Sequence, residues 1–309
     1  MPVNIWFWVA FHLGVLAALA VDLLSFHGPH TIDLPSAVRR SLVWIALSLG
    51  FNVIVWSWQG ADQGIDFFTG YLIEYSLSVD NIFVFVLIFA YFRVPPQYEH
   101  RVLIWGILGA IVMRGLMIWI GVELVARFHF VLYLFGAFLL ITGLRMLRRQ
   151  TQQLDLDNNF VLKSARRLLP VTNDYHGPKF IALVGGRRML TPLALVLIVI
   201  DVMDLVFAVD SIPAVLAITQ DTFIIYTSNI CAILGLRSLY FLLANLVTRF
   251  VYLRFGLAMI LCLVGSKMIA ARWIRMPNWL SLLLIAAVLL ITILASLRAS
   301  KPRPAPPKR

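Results

Sequence analysis

A chain of 309 residues that is 61% hydrophobic and only 13% charged cannot cover a water-soluble globule with a polar surface, so it reads as a polytopic membrane protein. Its formal charge of +11 is spread over loops rather than gathered on one module with interleaved aromatics, which argues against a nucleic-acid partner. The two cysteines, Cys231 and Cys262, fall in separate apolar runs without a CxxC pair or a neighbouring histidine, which argues against a disulfide or a zinc site.

Apolar runs of about 20 residues, enough for an α-helix to cross about 30 Å of hydrocarbon, recur about nine times. They predict spans at 4–24, 41–58, 66–92, 101–122, 128–147, 190–218, 223–247, 251–271 and 279–297. The first run lacks a basic n-region and a small-residue cleavage pattern, and it continues into Asp22, so it is expected to be retained as a helix. Asp22 lies near the cytoplasmic end of that helix, where a carboxylate can pair or reach water.

The heaviest basic segment separates the fifth and sixth spans, with Arg148, Arg149, Lys163, Arg166, Arg167, Lys179, Arg187 and Arg188, whereas the loops around Asp62 and Asp221 carry no basic residue. Basic short loops stay inside, so this loop is expected in the cytoplasm, the N-terminus outside and the C-terminus inside, in agreement with Arg298, Lys301, Arg303, Lys308 and Arg309. Within the loop, VLKSARRLLP is amphipathic, and a turn-rich piece with Asn173, Asp174, Gly177 and Pro178 follows. A solvated connector on the anionic inner leaflet is the expectation here. The tail KPRPAPPKR reads as a disordered basic anchor.

Two acidic clusters sit inside the apolar runs. Glu74 and Asp80 lie in GYLIEYSLSVDNIFVFVLIF, and Asp201, Asp204 and Asp210 lie in LALVLIVIDVMDLVFAVDSIPAVLAI. A carboxylate at bilayer depth costs about 2.5–3.5 kcal/mol even on insertion scales, so five of them point to a site rather than to incidental pairing. The clusters also mark an internal repeat: an acid, five residues, then Asp followed by Asn81 in the first copy and by Ser211 in the second. GILGAIVMRGLMIWI resembles ICAILGLRSLYFLLA downstream, with Arg114 and Arg237 at equivalent places. Each unit spans three helices, so the second copy enters from the opposite side. Such inverted repeats belong to secondary transporters and would bring the two clusters face to face near the midplane.

At 100° per residue Asp201 and Asp204 share a helix face while Asp210 lies opposite Asp201, so aiming all three at one ion requires a break, which Pro213 is expected to supply. Glu74 and Asp80 are about 120° apart and separated by about 9 Å of rise, so they need an unwound turn around Ser76, Ser78 and Asn81, or separate roles. Carboxylates, carboxamide, hydroxyls and freed carbonyls, without thiolate or imidazole, suit Mg²⁺, Mn²⁺ or Ca²⁺. The candidate ligands are Glu74, Asp80, Asn81, Asp201, Asp204, Asp210 and Ser211, supported by Asp22, Arg114 and Arg237. Each arginine could neutralise a carboxylate, but two cannot balance five acids.

The remaining polar and aromatic residues read as structural. His12, the one histidine well inside a span, is expected to be a hydrogen-bonded packing residue, and Trp56, Trp58, Trp273 and Trp279 fall where an interfacial belt would place them. HExxH, GxSxG and GxxxxGK[ST] are absent, so nothing proposes a nucleophile or a P-loop, and no enzyme activity or cofactor is expected.

ALAVDLLSFH, TGYLIEYSLSVDNIFVFVLIF, HRVLIWGILGAIVMRG, RRLLPVTNDYHG, FAVDSIPAVLAIT and TSNICAILGLRSLYFLLA together resemble the TerC family of integral membrane proteins, named for tellurium resistance and including Alx-type manganese exporters. The resemblance covers nearly the whole chain. It implies export of excess Mn²⁺ across the bacterial cytoplasmic membrane, with Glu74, Asp80, Asn81, Asp204, Asp210 and Ser211 carried over as ligands. Asp201 stands where the family is expected to have Glu, which shortens its reach. Other readings are transport of Ca²⁺ or a tellurium species, or a membrane accessory protein that supplies metal to exported proteins or assists their insertion. The expected organisation is N-terminal helices over 1–65, a first repeat over 66–148, the loop over 149–189, a second repeat over 190–272, a last helix over 273–300 and the tail over 301–309. Expected partners are Mn²⁺ or a similar cation, protons and the bilayer, with a dimer as one option.

Overall fold

The computed structural model describes residues 4–24, 34–128, 130–148, 170–172, 174–184, 186–243, 252–271, 273 and 276–299. Within the helices, the side chains of Asp80 and Arg237 lie outside the described set, as do VLKSARRLLP up to residue 169 and the basic tail. The elements are α1 (Ile5–Leu24), α2 (Leu34–Gln59), α3 (Ala61–Phe92), α4 (Pro96–Arg127), α5 (Val131–Arg148), a hairpin of β1 (Ile181–Val184) and β2 (Arg187–Leu190), α6 (Pro192–Leu216), α7 (Thr222–Leu234), α8 (Leu236–Leu243), α9 (Leu253–Ala270) and α10 (Asn278–Ala299). Seven of these, α1 to α6 and α10, are long and apolar enough to cross a membrane, and α7 and most of α9 are shorter apolar helices. The chain is an all-α polytopic membrane protein with one small hairpin.

Three local expectations change. The span at 223–247 is divided: α7 stops at Leu234 and Gly235 separates it from the eight-residue α8. Pro213 does not break α6, which runs on to Leu216. The proline falls in the last turn, where one missing N–H removes a single bond, and the Ala217 N–H still closes onto the Pro213 carbonyl at 3.1 Å. α3 is likewise continuous over 32 residues, which leaves separate roles, not an unwound turn, for its two acids. The hairpin was not expected; Val184-Gly185-Gly186-Arg187 encodes it, with Gly186 at φ 76°, a conformation that glycine adopts without steric cost.

α3 is the central helix, packed against α2, α6, α7 and α10, while α4 covers α6 and α7. Its buried side chains include Thr69, Glu74, Ser76, Ser78 and Asn81. Thr69 and Ser76 donate their hydroxyls to the Ile65 and Leu72 carbonyls of their own helix, so the Glu74 carboxylate is the group that requires partners from the facing helices. Two side-chain caps set the starts of the next elements: Thr191 accepts from the Ala194 N–H at the head of α6, and Asp221 accepts from the Phe223 and Ile224 N–H groups, at 2.9 and 3.2 Å, at the head of α7.

α5 and α9 meet through small residues, because lipid offers no hydrophobic contrast and backbones must approach closely to gain dispersion energy. A Cβ placed on Gly265 would lie 2.7 Å from the Gly136 carbonyl oxygen and 2.8 Å from the Leu140 nitrogen, neither of which can turn aside. Gly265→Ala should therefore cost about 3 kcal/mol in thermal unfolding. Gly14→Ala, where the added methyl meets open space, should be close to neutral by the same measurement.

At one end of the bundle Asn278 donates to Asp66 at 2.6 Å and to the Ile218 carbonyl at 3.0 Å, and accepts from Lys267 at 2.9 Å, tying α10, α3 and α9 to the chain after α6. His12 is a packing residue, bonded to the Trp8 carbonyl at 2.8 Å and the Tyr226 hydroxyl at 2.9 Å. Trp56, Trp58, Trp273 and Trp279 are all exposed, as residues of an interfacial belt would be.

Candidate functional site

Four helices each contribute one polar side chain to a buried cluster: Glu74 from α3, Arg114 from α4, Asp204 from α6 and Asn229 from α7. None is more than 3% exposed. The Arg114 guanidinium grips Asp204 with two bonds, Nε to Oδ2 at 3.0 Å and Nη2 to Oδ1 at 2.8 Å. Its remaining nitrogen, Nη1, donates to Glu74 Oε1 and to Asn229 Oδ1, the latter at 3.3 Å. Asn229 Nδ2 donates to Glu74 Oε2 at 3.0 Å, so both Glu74 oxygens are occupied. A guanidinium fork bound bidentately is a strong, charge-assisted partner for a carboxylate. Glu74 and Asp204, the first acids of the two repeated motifs, thus meet on a single arginine.

Asp201 lies one turn before Asp204 on the same face of α6. It is half-buried, and its Oδ1 has no hydrogen-bond partner. It rests against the glycine face of α4: a Cβ at Gly109 would lie 3.0 Å from both Asp201 oxygens, and one at Gly106 would lie 3.7 Å from Oδ1. A side chain at Gly109 would push the carboxylate away, whereas a methyl at Gly106 would only touch it. Beside it, Asp204, Gly106 and Ala110 help to line a small cavity of about 20 Å³, room for about one water. Two carboxylates, Glu74 and Asp204, therefore hold one guanidinium, and a third, Asp201, lies one helical turn away against the glycines of α4.

The other candidates are separate. Asp210 is half-buried and, nine residues after Asp201, lies on the opposite side of the continuous α6. Asn81, Ser78 and Ser211 are buried, and the Ser78 and Ser211 hydroxyls have no partner. Asp22, near the end of α1, pairs with Arg40 of α2 at 3.2 Å. The side chains of Asp80 and Arg237 are outside the described set. Among the described residues no three acidic, histidine or cysteine side chains converge on one point that could hold a metal, and Arg114 occupies the position where two of them come together. Sequence reasoning missed Asn229. The available signal was a lone carboxamide in the apolar run IIYTSNICAIL, which needs a polar partner at that depth.

The sequence pattern of the integral membrane protein TerC family matches residues 59–304. An uncharacterized membrane protein of Myxococcus xanthus is 45% identical over 96% of this chain and 93% of its own length. Alx of Escherichia coli strain K12, named as a candidate membrane-bound redox modulator, is 41% identical over 93% of this chain and 92% of its own length. An uncharacterized membrane protein of Rickettsia conorii is 40% identical over 94% and 97%. No solved structure matches the chain. With the acidic motifs inside this matched region, the chain belongs to the TerC family of integral membrane proteins.

Proposed function

We propose that this chain is a secondary transporter, not an enzyme, that exports a hard divalent cation across the bacterial cytoplasmic membrane in exchange for protons, with Mn²⁺ the favoured substrate. In this reading about nine membrane helices enclose two inverted three-helix repeats, with the N-terminus outside and the C-terminus in the cytoplasm. One observation carries the reading: the equivalent acids of the two motifs, Glu74 and Asp204, share one buried guanidinium. Ionised groups at membrane depth face the bundle interior and mark ion or proton pathways.

Charge supports the kind of cargo. Glu74 and Asp204 on Arg114, together with Asp201 one turn along α6, leave two negative charges in excess when all are ionised, the charge of one divalent cation or of two protons. Arg114 acts as a resident cation that holds the acids while no substrate is bound. An arriving Mn²⁺ draws Glu74 and Asp204 off the guanidinium, with Asp201 balancing charge from the next turn, while Asp80, Asn81, Asp210 and Ser211, about two turns further along the two continuous helices, offer oxygen atoms of the kind that suit the ion elsewhere on its path. Protons then replace the ion on the release side, and Arg114 returns.

The test is Mn²⁺ uptake into inside-out vesicles with a pH dye in the lumen, comparing the unaltered protein with Asp80→Asn and Asp210→Asn and with Ca²⁺ and Mg²⁺ as competitors. Saturable uptake coupled to proton exit, lost in both variants, is the expected result. Uptake that persists in both variants removes those two acids from the pathway, and a chain that moves no cation leaves the accessory-protein reading.

A further inference from the structure

The hairpin ahead of α6 carries apolar surface that the fold does not cover. Its register pairs Ile181 with Leu190 and Leu183 with Arg188, so these four side chains share one face, and Ala182, Val184, Arg187 and Met189 share the other. On the first face Ile181 is 56% exposed and Leu183 is 73% exposed, with Arg188 open beside them, whereas Ala182 on the other face is buried.

The contacts of the hairpin fix its height. β2 leads through Thr191 directly into α6, and the Thr191 hydroxyl donates to the Lys179 carbonyl at 2.7 Å, binding the chain before β1 to the head of the helix. Phe180 packs edge-on against Trp105 of α4 with ring centres 6.3 Å apart, and the Arg101 guanidinium lies 5.4 Å from the Phe180 ring. The Tyr175 hydroxyl donates to the carbonyl of Phe92, the last residue of α3, at 2.8 Å. Arg101 and Trp105 near the start of α4, level with the end of α3 and the head of α6, are the residue types that gather at the headgroup level. Arg101, Lys179, Arg187 and Arg188 are all exposed there, and none has a carboxylate partner among the described residues.

We infer that the hairpin is a lipid-docking element: Ile181 and Leu183 enter the acyl boundary of the leaflet, and Arg188, with Arg101, Lys179 and Arg187 around it, binds the phosphates of anionic headgroups. Apolar tips with a basic surround are how interfacial segments hold an anionic membrane. Because the hairpin sets the first turn of α6, which carries Asp201, Asp204 and Asp210, the lipid contact holds the helix of the acidic cluster at a defined depth. The inference stands whether or not the chain transports a cation.

The test uses the full chain with Cys231→Ser and Cys262→Ser, spin-labelled at Leu183→Cys, in nanodiscs of phosphatidylcholine with or without phosphatidylglycerol. Collision rates with oxygen and with a water-soluble nickel chelate report the depth of the label. In discs with the anionic lipid the label should meet oxygen and be shielded from nickel; in neutral discs it should shift toward nickel. Arg187→Gln with Arg188→Gln should abolish the difference, and raised salt should weaken it in the protein with its arginines intact. A label that is equally nickel-accessible in both discs overturns the inference, as does one equally shielded in both. Dipolar coupling between labels on two copies would assign the face to a second copy and also overturn it.

Discussion

Arg114→Gln should destabilise the metal-free protein by about 3–5 kcal/mol, and saturating Mn²⁺ should restore most of that loss. The guanidinium is 1% exposed and forms all the charge pairing of Glu74 and Asp204, so its removal leaves two carboxylates at membrane depth with only Asn229 between them. A buried charge that has lost its partner costs more than the pair contributed, because desolvation is no longer offset. Arg114→Lys should fall in between: the ammonium keeps the charge but cannot make the two-pronged contact with Asp204 together with the bond to Glu74. Combining Arg114→Gln with Asp204→Asn should recover part of the loss, since only one unpaired carboxylate remains. Thermal unfolding in detergent, with chelator or with Mn²⁺, reads all four proteins. Equal stabilisation of the unaltered protein and Arg114→Gln by Mn²⁺ would sink the idea that the ion takes the place of the guanidinium.

The parts of this structure legible in the sequence were those set by apolar run length and by charge. The long spans appear as α1 to α6 and α10, because about 20 apolar residues leave an α-helix few alternatives in a bilayer. The expectation that Arg114 would neutralise a carboxylate also holds, since a lone arginine deep in an apolar helix must find an acid. Bends were harder to read. Pro213 is a strong breaker by composition, yet its effect depends on how many residues of helix follow it, and α6 ends at Leu216. The interruption at Gly235 carries no proline and was invisible within the apolar run 223–247. The hairpin escaped because its strands are four residues each, too short for period-two alternation to show. Asn229 escaped for a different reason: its role comes from Glu74 and Arg114 on two other helices, and one chain read alone does not reveal which side chains will meet.

The pairing also explains how two fully buried acids can coexist with this fold before any ion binds. Asp204 is held by the arginine fork, Glu74 by the same arginine and by Asn229, and Asp210 lies on the far side of α6. Asp201, with one oxygen unpartnered against the α4 glycines, is the member of the cluster left with the weakest support and the most to gain from a cation or a proton.

Glu74→Gln and Asp204→Asn should each reduce Mn²⁺ transport at limiting substrate by about a thousandfold. One carboxylate charge about 4 Å from a cation is worth about 4 kcal/mol at an effective dielectric constant of about 20, which is about three powers of ten in affinity. The two variants should differ in stability. Glu74→Gln leaves the bidentate Arg114–Asp204 contact intact, so it should melt close to the unaltered protein, whereas Asp204→Asn loses the charge and one prong, turns the other oxygen's place into an NH₂ that faces the guanidinium, and leaves Glu74 as the carboxylate on Arg114, lowering the melting temperature more. Transport assayed in vesicles alongside melting in detergent separates the roles. Transport lost in Glu74→Gln with melting unchanged assigns Glu74 to the ion; both properties lost together in each variant would make the cluster a structural tie. The pH dependence gives a further check with a definite sign: a carboxylate must lose its proton to hold the cation, so transport by the unaltered protein should weaken as pH falls on the loading side. A variant with one fewer titrating acid should then show a shallower fall.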